Sequence, residues 1–196
     1  MTVHFSVITE PNLNWSASRE TVQATGKKLI EAVGVAYTRV DGANYAADAD
    51  FRKFFCAATK ASDAATVRGN ARTVLGAMNE FLTNTSNTVT VKLKGKHAEA
   101  GDYAYVFPDL GRSRTGQWFI YLGPQFDSTP AQNSGIRDIR LLTMAHELSH
   151  HFGTNSADGY KTEHYDADAL QLPATNPVYA SNNADNYGYF IDAVAP

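Results

Sequence analysis

Cysteine is all but absent. Cys56 stands alone in 196 residues, so no intrachain disulfide can form, and a lone cysteine outside any local motif reads as a small core residue. Neither charge sign dominates: 17 Lys and Arg face 20 Asp and Glu, a net charge of −3. With no basic run, nucleic acid and membrane surfaces drop out as expected partners. No apolar stretch reaches the roughly 20 residues that span a bilayer. Residues 1–10 show neither the charged start nor the apolar run of a secretion signal, so no cleaved leader is expected. Internal repeats and low-complexity linkers are missing as well. The remainder, 43% hydrophobic, suits one globular domain with a sizeable core.

Residues 3–8 alternate as a short strand, with His4 on its solvent side. Ser16 or Ser18 can cap a helix to about Tyr37, with Val22, Leu29, Ile30 and Val33 at helical spacing. A second helix is expected over 47–59, with Phe51, Phe54 and Phe55 on one face. A third runs from Ser62 or Asp63 to Leu82, turning Val67, Val74, Leu75, Met78 and Phe81 inward. The polar run 83–88 reads as a loop. Strands follow at 89–93, 103–107 and 117–122. His97 falls in a turn and reads as solvated, and Arg112 and Arg114 sit in a turn that reads the same way. Residues 124–135 form a long loop. Further helices are expected from about Ile136 to Gly153, over 163–172, and over 178–194.

The helix ending at Gly153 carries the chemistry. It contains His146-Glu147-Leu148-Ser149-His150, a His-Glu-x-x-His pattern. Residues four apart lie about 40° apart around a helix, so both imidazoles share one face and can hold one tetrahedral ion. Glu147 lies beside them, placed to take a proton from a water at the metal. His151 is turned about 100° from His150 and leaves that face. A catalytic zinc needs a third protein ligand and one open position. The segment just downstream offers Asp158, Glu163, His164, Asp166 and Asp168, and a nearby Tyr or Arg can donate to the developing oxyanion.

Several further runs follow in a fixed order. They are Tyr103-Ala104-Tyr105-Val106, Ile120-Tyr121-Leu122 with Phe126 behind it, the pentapeptide, Gly153-Thr154, and Asn183-Ala184-Asp185-Asn186-Tyr187-Gly188-Tyr189-Phe190. Over about 100–190 this set resembles the aspzincin metallopeptidases, the deuterolysin and peptidyl-lysine endopeptidase group. The resemblance implies an α+β, zincin-like fold, mostly helical, with a small β-sheet before the motif helix. Residues 1–196 are expected to form one domain of a helical layer (1–85), a small sheet (86–125) and the zinc-site helices (136–196). The resemblance also implies one zinc ion per chain on His146, His150 and an aspartate from a Gly-Thr…Asp-x-x-Tyr pattern. Asp158 with Tyr160 fits that pattern, although the tyrosine is two residues on instead of three. The rival alignment uses Thr162 and Tyr165, with Glu163 or His164 as ligand. Tyr160, or Tyr165 in its place, is then the oxyanion donor. Asp185 matches a substrate-binding aspartate of the lysine-specific members, which carry glutamate where this chain has Gly188. Fungal members have disulfides that this chain cannot form.

The expectation is therefore a zinc-dependent endopeptidase acting on protein or peptide substrates, with Glu147 as general base. The alternatives are an inactive, zinc-stabilised binding or toxin-like domain, and a zinc amidohydrolase acting on cell-wall peptides. Localisation stays open between secretion and export of a bacterial effector without a cleaved leader. Oligomeric state is not legible.

Overall fold

Two valine-bearing runs pair to form one side of a sheet. In the computed structural model, which describes residues 3–8, 17–93, 99–107, 117–128, 135–155 and 161–196, strand β1 (His4–Ile8) pairs in parallel with β2 (Thr88–Lys92), setting Phe5 opposite Val89 and Val7 opposite Val91. On the far side of β2 lies β4 (Gln117–Leu122), also parallel, with Ile120 opposite Val91. The short β3 (Ala104–Tyr105) runs antiparallel on β4, so the order is β1-β2-β4-β3. The inward residues Phe5, Val7, Val89, Val91, Ile120 and Leu122 are buried. The architecture is α+β, mostly helical with a small mixed sheet, as expected. His97, the turn holding Arg112 and Arg114, Asp158 and Tyr160 lie outside the described residues.

Helix α1 (Arg19–Asp41) is capped by Ser18, whose hydroxyl accepts from the Thr21 amide. Its buried stripe includes Val22, Leu29, Val33 and Val40. Helix α3 (Ala64–Thr83) packs that stripe with Val67, Leu75, Met78 and Leu82. Helix α2 (Ala49–Phe54) is shorter than the expected 47–59. The chain leaves the helix at Phe55, and the Ala57 amide donates to the Pro173 carbonyl at 3.0 Å. A long-range bond has taken over a donor that local periodicity would have kept in the helix.

The C-terminal third holds α4 (Ile139–His150), α5 (Asp166–Thr175), α6 (Pro177–Ala180) and α7 (Ala184–Val194). The helix expected over 178–194 is thus two, joined by a tight turn in which the amides of Asn182 and Asn183 donate to Tyr179 and Ala180. Helix α7 is buried on nearly every side and packs against α4, α1 and α2. Phe51, Phe55, Tyr187 and Phe190 join α2 and α7, with Phe55 5.0 Å from Tyr187 and 5.1 Å from Phe190 between ring centroids. Gly188 allows the close approach of α7 to α4. A Cβ there would lie 3.0 Å from the Leu142 carbonyl oxygen and 3.2 Å from Leu142 Cγ. At the position where lysine-specific members were expected to carry glutamate, a side chain would therefore press on Leu142 and force it to shift.

Two carboxylates fix the start of α4. Asp138 caps it, accepting from the amides of Arg140 and Leu141. Asp192 of α7 accepts from the amides of Arg137 at 2.7 Å and Asp138 at 2.8 Å. Among the described residues no helix is long and apolar enough to cross a membrane.

Candidate active site

The last turns of α4 place His146, Glu147 and His150 so that one donor atom of each lies within 4.8 Å of the others. The two imidazoles present their Nε2 atoms to each other at 3.3 Å. Their Nδ1 atoms point away to acceptors. His146 Nδ1 donates to Asp185 Oδ1 at 2.7 Å. His150 Nδ1 faces the Thr154 carbonyl at 3.4 Å. An Nδ1 held by an oxygen leaves the Nε2 lone pair free for a metal, the tautomer that a ligating histidine needs.

Glu163 comes from the segment between α4 and α5. Its Oε1 lies 3.0 Å from His146 Nε2 and 3.1 Å from His150 Nε2. That oxygen is buried yet makes no directed hydrogen bond. Two nitrogens on one zinc at tetrahedral angles stand about 3.3 Å apart, and an oxygen donor sits at a similar spacing. The three donor atoms form a triangle of that size, and the orphaned oxygen is one of its corners. The residues present fit a zinc ion. Glu147 stands further back, its Oε1 4.0 Å from His146 Nε2.

The electrostatics agree. Burial works against charge on His146, but its hydrogen bond to Asp185 and its contact with Glu163 outweigh that and raise its pKa well above the usual value. A pocket that draws a proton onto a buried imidazole is one whose field favours a cation. Burial also opposes ionisation of Glu163, yet its contacts with His146 and His150 hold its carboxyl below the ordinary range. Glu147 moves the other way, raised chiefly by burial and less by Glu163 and Asp185, against the pull of the two imidazoles. Two carboxylates side by side are thus pushed apart, one toward a permanent anion and one toward a group that can hold a proton.

These groups open into a cleft of about 930 Å³. Residues 103–106 at the sheet edge, Tyr165, Asp166 and Tyr189 are among the residues that line it. Tyr165 lies parallel to the His146 ring, centroids 6.1 Å apart, and its hydroxyl donates to Glu163 Oε2. Burial and that hydrogen bond push its pKa upward, so it stays a donor.

Of the residues expected from the sequence, His146, Glu147, His150 and Asp185 are together, whereas Asp158 and Tyr160 are not among the described residues. Asp185 lies behind the first histidine with both oxygens engaged: Oδ1 with His146 and Oδ2 with the Asp166 amide at 2.9 Å. His164 is turned from the imidazole pair, its ring edge-on to Tyr179 with centroids 4.9 Å apart. His151 faces the sheet, its Nε2 donating to the Phe119 carbonyl at 3.1 Å. Thr154 and Asn183 were expected only as members of the matching runs, with no role of their own. Helix α4 ends at His150, earlier than the expected Gly153, and Thr154 follows Gly153 in the turn beyond it, where the glycine adopts φ +105. The Thr154 hydroxyl bonds Ser149 at 2.9 Å, which holds its carbonyl near His150. The signal for Asn183 was the crowding of asparagine into an otherwise apolar helix start, because buried amides need partners.

Imidazoles and carboxylates converging beside an open cleft are the equipment of a metallohydrolase. A family model described as lysine-specific metallo-endopeptidase matches residues 41–192. The chain belongs to that family, the aspzincins. It is 36% identical over 92 residues to an extracellular protease of Aeromonas hydrophila, covering 46% of this chain and 23% of that protein. The chain thus spans about a quarter of that relative's length. Its fold is similar to that of a zinc peptidase from Grifola frondosa, with a TM-score of 0.62 and 21% identity over 90% of this chain and 96% of the other.

Proposed function

We propose that residues 1–196 act as one zinc-dependent endopeptidase domain that cleaves peptide bonds in protein or peptide substrates. The observation that carries this reading is the triangle of His146 Nε2, His150 Nε2 and Glu163 Oε1, with edges of 3.3, 3.0 and 3.1 Å, in the lining of a cleft of about 930 Å³. Those three residues would hold one zinc ion per chain. Zinc, when bound, makes water a better nucleophile and polarises the scissile carbonyl. Glu147 takes the proton of the attacking water and passes it to the departing amine; its raised pKa suits a base that must carry that proton between two steps. Tyr165, beside the imidazoles and still protonated, donates to the carbonyl oxygen as charge develops there. The similarity to an extracellular protease supports a secreted protein.

The test is the metal content and casein cleavage of the chain and three variants. The wild type should carry one zinc per chain and cleave. Glu147→Gln should keep its zinc and lose about 10²–10⁴-fold in kcat. Glu163→Gln should lose zinc, whereas loss of zinc in Asp158→Asn instead would make Asp158 the third donor. Undiminished cleavage by Glu147→Gln removes that residue as base, and a zinc-loaded wild type that cuts no protein or peptide points to a binding domain or a cell-wall amidohydrolase.

A further inference from the structure

The segment 162–166 is held by three side chains from the α6–α7 region. Tyr179 donates its hydroxyl to the Thr162 carbonyl at 2.6 Å. Asn183, fully buried, grips His164 from both directions: its Oδ1 accepts from the His164 amide at 3.0 Å, and its Nδ2 donates to the His164 carbonyl at 2.9 Å. Asp185 accepts from the Asp166 amide at 2.9 Å. The pinned residues are 162, 164 and 166. The side chains that reach the histidines, Glu163 and Tyr165, are the ones between them. In an irregular segment with no ladder of its own, fixing alternate backbone groups is what fixes the side chains in between.

Asp185 adds a second contact, the 2.7 Å hydrogen bond to His146 Nδ1. One carboxylate therefore ties the ring of a histidine on α4 to the backbone that presents Glu163. It is 6% exposed, and each oxygen already has a short hydrogen bond. Asp185 borders the cleft, but with a buried partner on each oxygen and so little exposed surface it has only its remaining lone pairs to offer a cationic substrate side chain.

We infer that Asp185 is a positioning residue of the metal site, locking His146 and the Glu163 segment into one unit, and not the substrate-reading aspartate that its place in the sequence suggests. The inference rests on the proposed zinc ligands. It predicts that Asp185 governs metal affinity and turnover and leaves substrate choice alone. Asn183 acts in the same way on the segment only.

The informative variant is Asp185→Asn. Its amide oxygen can still accept from His146, but its NH2 group meets the Asp166 N–H donor to donor. Zinc affinity, measured by competition with a chromophoric chelator, should weaken about 10–100-fold. kcat should fall while KM and the residues chosen in a peptide library stay as in the wild type. Asn183→Ala should weaken zinc binding with His146 unaffected. The opposite pattern, wild-type zinc affinity with a raised KM or altered cleavage preference, overturns the inference and makes Asp185 a substrate residue. If Asp185→Asn does not fold, nitrogen NMR of the zinc-loaded wild type decides. Zinc on Nε2 with a proton on Nδ1 of His146 is required, and the reverse tautomer sinks the idea. A wild type that binds no zinc would instead refute the proposed function, so the two failures are distinguishable.

Discussion

The two halves of the molecule are buried by different means. Between α1, α3 and the sheet the interior is aliphatic and aromatic, with Val22, Leu29, Val33, Leu75, Met78 and Val91 fully buried. Around α7 polar groups share the interior with Tyr187 and Phe190: Asn183, Asp185, Asn186 and Asp192 are all buried, and each has hydrogen-bond partners. Asn186 alone donates to the carbonyls of Phe54 and Ala169 and accepts from Asn183. An apolar core tolerates many arrangements of similar volume, whereas a polar one works only when every partner is in place. The half that must hold a metal to a fraction of an ångström is the half built from directional bonds.

The largest effect expected comes from the apolar packing within the α7 half, where Phe55 lies against Tyr187 and Phe190. Phe55→Ala should cost about 3–5 kcal/mol by leaving a cavity against Tyr187 and Phe190, or roughly 6–20 °C in melting temperature for a chain of this size. Urea denaturation of the zinc-free protein measures it, and the cost should persist in the presence of chelator. A smaller but more telling change is Gly188→Ala. Its Cβ presses on the Leu142 backbone one turn before His146, and overpacking of this kind costs about 1–3 kcal/mol. Because the pressure falls on α4 itself, zinc affinity should drop along with stability; stability lost with unchanged zinc affinity would argue that the two halves of α4 move independently.

The smallest effect concerns Asp138. Burial opposes its ionisation, but Lys28, the capped Leu141 amide and Arg140 outweigh this and lower its pKa. A carboxylate depressed in the fold contributes stability that is complete above its unfolded pKa, near 3.9, and lost as pH falls through the lower folded value. The melting temperatures of wild type and Asp138→Asn should therefore differ by a constant amount above about pH 5 and converge below pH 4. A gap that does not narrow as pH falls below 4 would mean that Asp138 acts through shape and not through charge.

The apolar half was the legible one. Periodicity alone located α1 and α3 and named their inward residues, because a helix on an apolar core repeats its pattern every turn. It overran α2, where the Ala57 amide turns aside to Pro173, and it ran α6 into α7 across Ser181-Asn182-Asn183, a turn-forming run that the apolar pattern on either side masked. The pentapeptide was legible for a similar reason: its three groups lie within two turns of one helix. Glu163 was only one of several downstream acids, since its approach to the histidines depends on a segment pinned by residues some 15–20 positions further on. Asp185 was recognised as a site residue, but its contact with His146 spans 39 positions and has no sequence period.

Asp185 and Asp192 are seven residues apart on α7, close to two helical turns, and so share one face. The first holds His146 near the end of α4, and the second holds the amides of Arg137 and Asp138 at its start. Helix α7 thus works as a gauge laid along its antiparallel neighbour. One residue inserted between those carboxylates would rotate either one by about 100° off its target, even if every side chain kept its identity. That stretch of α7 should accept a change of residue more readily than a change of length.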